Sequence, residues 1–159
     1  MKNNILKMRS VAVTGARGLI GKVIVKNLLN IGCEVKVLTR SDYKKFSPKI
    51  TIIKSDINNE AGLRSLLDGV DAIFHCAAEL KDTQKMYSTN VEGTHKLINL
   101  AAKTKASFFC HLSSAGVIGA TDVSNITEET TCNPKNLYEK TKFESERLVA
   151  NSNLDMSIC

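Results

Sequence analysis

Three glycines recur at intervals of three in Val13-Thr14-Gly15-Ala16-Arg17-Gly18-Leu19-Ile20-Gly21, between a short apolar run and a segment with helical spacing. Each answers a separate steric demand. Gly15 makes a tight bend out of a strand, Gly18 lets backbone approach a bulky anion, and Gly21 lets the following helix pack closely on a sheet. The N–H groups and the positive dipole end of that helix then stabilise a diphosphate. A glycine pattern alone is a weak signal, but this one has a strand before it and a helix after it, near the amino terminus. A glycine-rich turn without a ligand is the plain alternative.

The rest of the chain is compatible with such a turn. Short runs rich in Val, Ile and Phe alternate with longer helical segments, the pattern of a parallel sheet covered by helices. Strands are predicted at Ser10 to Thr14, Glu34 to Leu38, Ile50 to Lys54, Asp71 to Cys76, Ser107 to Leu112 and Leu154 to Cys159. The first helix is predicted from Gly18 to Ile31, with Ile20, Val23, Ile24, Asn27, Leu28 and Ile31 as its inward stripe and Gly32 as its terminator. A short helix capped by Asn58 or Asn59 runs to Leu67, and a long one spans about Lys85 to Thr104 with Val91, Leu97, Ile98 and Ala101 along it. A last helix begins at Pro134 or Asn136 and reaches about Asn151, after a loop from Ala115 to Cys132 whose length is of the functional kind. The fold class is therefore α/β, a Rossmann-type doubly wound parallel sheet with helices on both faces.

Composition bounds the function classes. With 159 residues and 43% hydrophobic content, one domain with one core is expected over residues 1–159. The net charge of +6 raises nucleic acid as a partner, yet the basic residues are scattered. Their densest group, Arg40, Lys44, Lys45 and Lys49, carries no zinc-finger or RNA-binding signature, so a solvated basic face is expected and no nucleic acid. The five cysteines are odd in number and lack CxxC spacing, which fits a reduced, cytoplasmic setting without a metal site. No run approaches the roughly 20 apolar residues that cross a bilayer, so neither secretion nor membrane insertion is expected.

Thr14-Gly15-x-x-Gly18-x-x-Gly21, rather than Gly-x-Gly-x-x-Gly, resembles the short-chain dehydrogenase/reductase superfamily, in particular its extended type, the NAD(P)-dependent epimerase/dehydratase family. Further positions agree in order and spacing. Asp56-Ile57 after the third strand resembles the family's Asp-Ile or Asp-Val pair at the adenine ring. His75-Cys76-Ala77-Ala78 resembles its His-x-Ala-Ala element, which lines the ribose and nicotinamide side. Asn90-Val91-Glu92-Gly93-Thr94 resembles its Asn-Val-x-Gly-Thr stretch. The resemblance implies cofactor contacts from Gly15, Arg17, Gly18, Leu19, Ile20, Gly21, Asp56, Ile57, Cys76, Ala77, Ala78 and Asn90. Singly, Asp56 reads equally well as a helix cap, His75 as a satisfied core histidine and Asn90 as a packing residue. An acid closing the second strand would favour NAD(H), which is still admitted, but Thr39 stands there with Arg40 next and Arg17 in the turn. These cations favour the 2'-phosphate of NADP(H), with Lys44 as an outer contributor and a solvated Arg40 as the alternative.

Tyr138-x-x-x-Lys142 within the last predicted helix places a phenol and an ammonium on one face, one turn apart. A free phenol has a pKa near ~10, and a neighbouring ammonium favours its ionised form. By the resemblance, Tyr138 transfers the proton, Lys142 also holds the nicotinamide ribose, and Ser114 of the Ser113-Ser114 pair holds the substrate oxygen, with Ser113 the second choice. Ala115-Gly116 replaces the Asp-Glu pair usual in 4,6-dehydratases of nucleotide sugars, and Ile118-Gly119 replaces a frequent Tyr-Gly. What remains is an NAD(P)-dependent epimerase or reductase acting by hydride transfer on a hydroxyl or keto group, of a nucleotide sugar by analogy. The alternative is a catalytically incomplete NAD(P)-binding module or sensor. Extended members place substrate recognition beyond the sixth strand, so by the resemblance this chain is expected to be truncated near that strand, with the substrate domain absent, and members often pair as homodimers through the helices corresponding to the long and last ones here.

Overall fold

The computed structural model describes residues 8–121 and 125–159. Five strands come in the predicted places, β1 (Ser10–Thr14), β2 (Glu34–Thr39), β3 (Ile50–Lys54), β4 (Ala72–His75) and β5 (Phe108–His111), and a short β6 (Met156–Ile158) follows the last helix. All pair in parallel, in the order β3-β2-β1-β4-β5-β6. That order reverses between β1 and β4, and the carboxyl ends of the strands on either side open a crevice there.

Alternation along the strands sorts side chains to two faces. Val11, Val13, Val35 and Val37 pack under α1 (Leu19–Asn30), whereas Ala12, Leu38, Ile73 and Phe109 face α2 (Glu60–Leu67), α4 (Gly93–Ala101) and α5 (Leu137–Ala150). Asp71 stands just outside β4. Its carboxylate accepts the N–H groups of Arg9 (2.7 Å) and Ser10 (2.9 Å), and its carbonyl accepts that of Ser107, so one residue aligns the starts of three strands.

The inward face of α1 differs from the expected stripe. Gly21, Val25 and Leu28 are buried, while Ile20, Val23, Asn27 and Ile31 are exposed. The cause is Gly21. A Cβ there would run into the Gly15 carbonyl, so the helix is turned with Gly21 against the glycine turn, and Val25 and Leu28 follow at helical spacing.

The expected single helix over 85–104 is three pieces in sequence, α3 (Thr83–Tyr87), a π-helical segment (Ser88–Glu92) and α4. Extra residues of this kind sit frequently at functional sites. Here the irregularity carries Asn90 inward. Of the predicted loop, Ala115–Ile118 form a 3-10 turn capped by the Ser114 hydroxyl, and residues 122–124 lie outside the described residues. Asn136 begins α5 with a capping box, its side chain accepting the Glu139 N–H while the Glu139 carboxylate accepts that of Asn136. Among the described residues no helix is long and apolar enough to cross a membrane.

Candidate functional site

A cleft of about 480 Å³ opens at the carboxyl ends of β1 to β4. Gly15, Arg17, Gly18, Arg40, Asp56, Ile57, Cys76, Ala77 and Ala78 line it, as do Thr14, Lys22, Thr39, Ser41 and Ser55. Its shape depends on the glycine turn. Gly15 has φ +68°, and a Cβ on it would stand 2.5 Å from the carbonyl of Cys76 and 2.6 Å from the Ala77 nitrogen, so backbone from β1 and β4 meets with no room for a side chain. Gly18 is different: a Cβ there would meet only the Gly15 oxygen, at 3.2 Å, with open space beyond. Gly18 is also the N-cap of α1, and no side chain caps that helix. This cradle fits a diphosphate.

Three cations and one carboxylate, Arg17, Lys22, Arg40 and Asp56, line the cleft among the described residues. Arg40 is 58% exposed and reaches Asp56 at 3.9 Å and Glu79 at 3.8 Å, and the Arg17 guanidinium donates to the Ser41 hydroxyl. Thr39 closes β2 with its hydroxyl on the Ser41 carbonyl (2.9 Å). Asp56 Oδ1 accepts the Asn58 N–H at 2.8 Å, and the cap of α2 is Asn59. Burial pushes the Cys76 thiol up to about 11, which leaves it an inert wall at neutral pH.

Not every expected contact lies in the cleft. Leu19 is 86% exposed at the first turn of α1, Ile20 is exposed, and Gly21 lies beneath the turn. Asn90 does not line the cleft at all. It is 1% exposed, and its amide is fully used: Oδ1 accepts from the Glu79 N–H (2.7 Å), and Nδ2 donates to the Glu79 carbonyl (3.0 Å) and the Thr141 hydroxyl (3.0 Å). Thr141 in turn donates to the Tyr138 carbonyl at 2.8 Å, so Asn90 fastens the loop after β4 to the turn of α5 that carries Tyr138.

His75 heads a second buried chain. Thr94 Oγ donates to the Asn90 carbonyl (2.6 Å), so it accepts from His75 Nε2–H (2.8 Å). Nδ1 then accepts from the Thr14 hydroxyl (2.7 Å), which accepts the Ala77 N–H (3.2 Å). Burial, with the neighbouring His111 and Lys142 adding to it, holds the His75 pKa well below the ordinary value, in keeping with this neutral tautomer.

Beyond β5 lies the second half of the site. Ser114 Oγ accepts the Gly116 N–H at 3.2 Å, whereas the Ser113 hydroxyl donates to Glu146. Tyr138 is half-buried, and its hydroxyl makes no hydrogen bond among the described residues. Burial raises its pKa. Lys142 is 2% exposed, donates to the Leu112 carbonyl (2.7 Å), and is pulled down to about 8, chiefly by burial.

Residues 11–159 match the model of the NAD dependent epimerase/dehydratase family. The chain belongs to that family. It is 32% identical over 167 residues to a sterol-4-alpha-carboxylate 3-dehydrogenase (decarboxylating) of Dictyostelium discoideum, covering 94% of this chain and 50% of that protein. It is 30% identical over 151 residues to a UDP-glucose 4-epimerase of Lactobacillus helveticus, covering 88% and 46%. A solved UDP-glucuronic acid 4-epimerase from Bacillus cereus, in complex with NAD, superposes with a TM-score of 0.82 at 25% identity, over 94% of this chain and 55% of that one. The chain thus spans about half the length of the curated relatives it matches. Its family is one of enzymes, and these named members are dehydrogenases and epimerases.

Against the motifs of this epimerase/dehydratase family, the sequence left several site residues unassigned. Thr14 was visible only as the first letter of the glycine motif, although its hydroxyl joins Ala77 to His75. Ser41 and Glu79 carry no pattern and enter only because the fold brings them to Arg17 and Arg40. His111 and Ser145, under Lys142, were equally silent.

Proposed function

We propose that this chain is the cofactor-binding and catalytic part of an NADP(H)-dependent enzyme that moves hydride to or from the carbon of a secondary alcohol or its ketone. The observation that carries the reading is the buried Lys142 ammonium, held on the Leu112 carbonyl at the carboxyl end of β5, one turn along α5 from a half-buried tyrosine whose hydroxyl is unengaged among the described residues. A bound nicotinamide supplies the hydride acceptor. Tyr138 takes the hydroxyl proton as the substrate is oxidised, or returns it on reduction. Because burial raises the Tyr138 pKa, proton removal needs a nearby positive charge, which Lys142 carries below about pH 8. Ser114 donates to the substrate oxygen, while Ser113 is turned to Glu146.

Gly15, Gly18 and the uncapped start of α1 would hold the diphosphate, Asp56 and Ile57 the adenine side, and Ala77 and Ala78 the nicotinamide side. Thr39 at the end of β2, with Arg17 and Arg40 beside it, supports NADP(H) over NAD(H). With Ala115-Gly116 after the serine pair, epimerisation or keto reduction is favoured over dehydration. The substrate class we favour is a nucleotide sugar, in line with the Lactobacillus and Bacillus relatives. A sterol is the second reading, favoured by the Dictyostelium relative. We also propose pairing of two copies through α3, α4 and α5, which sedimentation of the purified protein tests.

Calorimetric titration of the folded chain with NADP and NAD tests the core of this reading. Tighter binding of NADP is expected, and a folded sample that binds neither overturns it. The same sample with Arg40→Ala separates the two cofactors, because an unchanged affinity ratio removes Arg40 from the choice.

A further inference from the structure

The two buried histidines of the sheet are held in opposite ways. His75 on β4 has both ring nitrogens engaged and one tautomer, whereas His111, fully buried at the end of β5, does not. Its Nε2 lies 3.3 Å from Lys142 Nζ and 3.1 Å from Ser145 Oγ. Its Nδ1 is the one buried side-chain nitrogen or oxygen without a partner among the described residues.

We infer that His111 is a positioning residue for Lys142, whose Nε2 accepts one ammonium proton and whose tautomer is coupled to the Lys142 charge. Ser145 Oγ donates to the Lys142 carbonyl at 2.8 Å, so the serine has only a lone pair left for the ring. While Lys142 is charged, two of its N–H groups go to the Leu112 carbonyl and to Nε2, leaving one N–H for a bound ligand. The imidazole proton must then sit on Nδ1, where it has no partner. When Lys142 loses a proton, the imidazole proton moves to Nε2 and donates to Ser145 or to the new lysine lone pair, and Nδ1 is left only a vacant lone pair. The orphaned Nδ1–H, and the Ser145 lone pair then turned on the Nε2 lone pair at 3.1 Å, therefore disfavour the charged state, and the hydrogen bond that Nε2 accepts from the ammonium favours it. His111 itself does not charge near neutral pH, since burial and Lys142 hold it down at about 3. Among the described residues, the other titratable groups facing this pair are His75 and Cys76 from β4 and its end and Glu146 from α5, with Cys159 acting on Cys76.

The inference uses the reading of Lys142 as the working cation only for its consequence, and its test needs no cofactor. In the folded, nitrogen-labelled chain, the Lys142 Nζ and His111 ring nitrogens are followed by NMR from pH 6 to 11. The His111 proton is expected on Nδ1 below the Lys142 midpoint and on Nε2 above it. His111→Leu removes both the acceptor and the orphaned Nδ1–H, and because the hydrogen bond lost is to a charged group and outweighs the relief of a neutral one, it is expected to lower the Lys142 midpoint by about one pH unit, a tenfold loss of proton affinity. His111→Gln, whose side-chain oxygen reaches the Nε2 position, restores it. A proton on Nε2 throughout, or a Lys142 midpoint that is equal in wild type and folded His111→Leu, overturns the proposal. If the leucine variant does not fold, the wild-type ring nitrogens decide alone.

Discussion

The two halves of the site are made of different material. On the β1 to β4 side the floor of the cleft is backbone, shaped by Gly15 against Cys76 and Ala77 and by Gly21 against the turn, with charged side chains around it. On the β5 to α5 side the site is side chains, with Lys142 drawn into the protein above His111 and Ser145. A backbone surface is rigid and costs little, because its groups are satisfied or left to the ligand. A buried ammonium costs several kcal/mol and persists where its charge is used. Under the proposed function, the half that binds the cofactor is therefore built from stabilising contacts, and the half that reacts is built against stability.

Substitutions break this contrast at different points. The largest effect is expected for Gly15→Val, which adds a clash with Cys76 and a strained φ, and should cost about 3 kcal/mol or more and abolish cofactor binding. Chemical denaturation and calorimetry check it, and near-wild-type stability would mean that the close approach of β1 and β4 is not required. On the other side the sign reverses. The unfolded chain protonates Lys142 more readily than the folded one, whose value is pulled from 10.5 to about 8, so the penalty is fully present below about pH 8 and fades as pH rises toward 10.5. Lys142→Met should thus be the more stable protein at pH 7, on the order of 3 kcal/mol, with the advantage shrinking as the buffer reaches pH 10.5. An advantage independent of pH, measured by paired denaturation curves, would show that burial of the charge is not its source.

Tyr138→Phe, made in the longest natural form of the protein, should lower turnover at least about 100-fold and leave cofactor affinity within about twofold, since only proton transfer is lost. Equal losses in both would place Tyr138 in binding instead. The smallest effect is expected for Arg40→Ala. Its ion pairs are long and exposed and contribute little to stability, so only the NADP to NAD affinity ratio should change, by about tenfold.

The same division governs what could be read from the chain. The glycine turn, the strand positions and the helix starts, narrowed to Asn58 or Asn59 and to Pro134 or Asn136, were legible, because each is a requirement for residue types at a fixed local spacing. The α1 stripe was misread for a related reason. That helix has apolar residues on several sides, and only the contact of Gly21 with the distant bend selects the buried one. Asn90 was legible as a packing residue in one of its two readings, but the π segment, the partners of Asn90 and the roles of Thr141, His111 and Ser145 were not. Each depends on a partner 11 to 51 residues away, as in Asn90 with Glu79 and with Thr141, and no local pattern encodes such a meeting.

The capping box at Asn136 has one more effect. By fixing where α5 begins, it makes Tyr138 the second residue of the helix, inside the first turn. Side chains on a helix lean back toward its amino end, so in the proposed reaction negative charge on that phenol would lie at the positive end of the helix dipole. At the carboxyl end of α5 the same tyrosine would meet carbonyl oxygens. The direction in which the helix leaves the loop would thus lend a phenolate at Tyr138 about 0.3–1 kcal/mol that no neighbouring cation supplies.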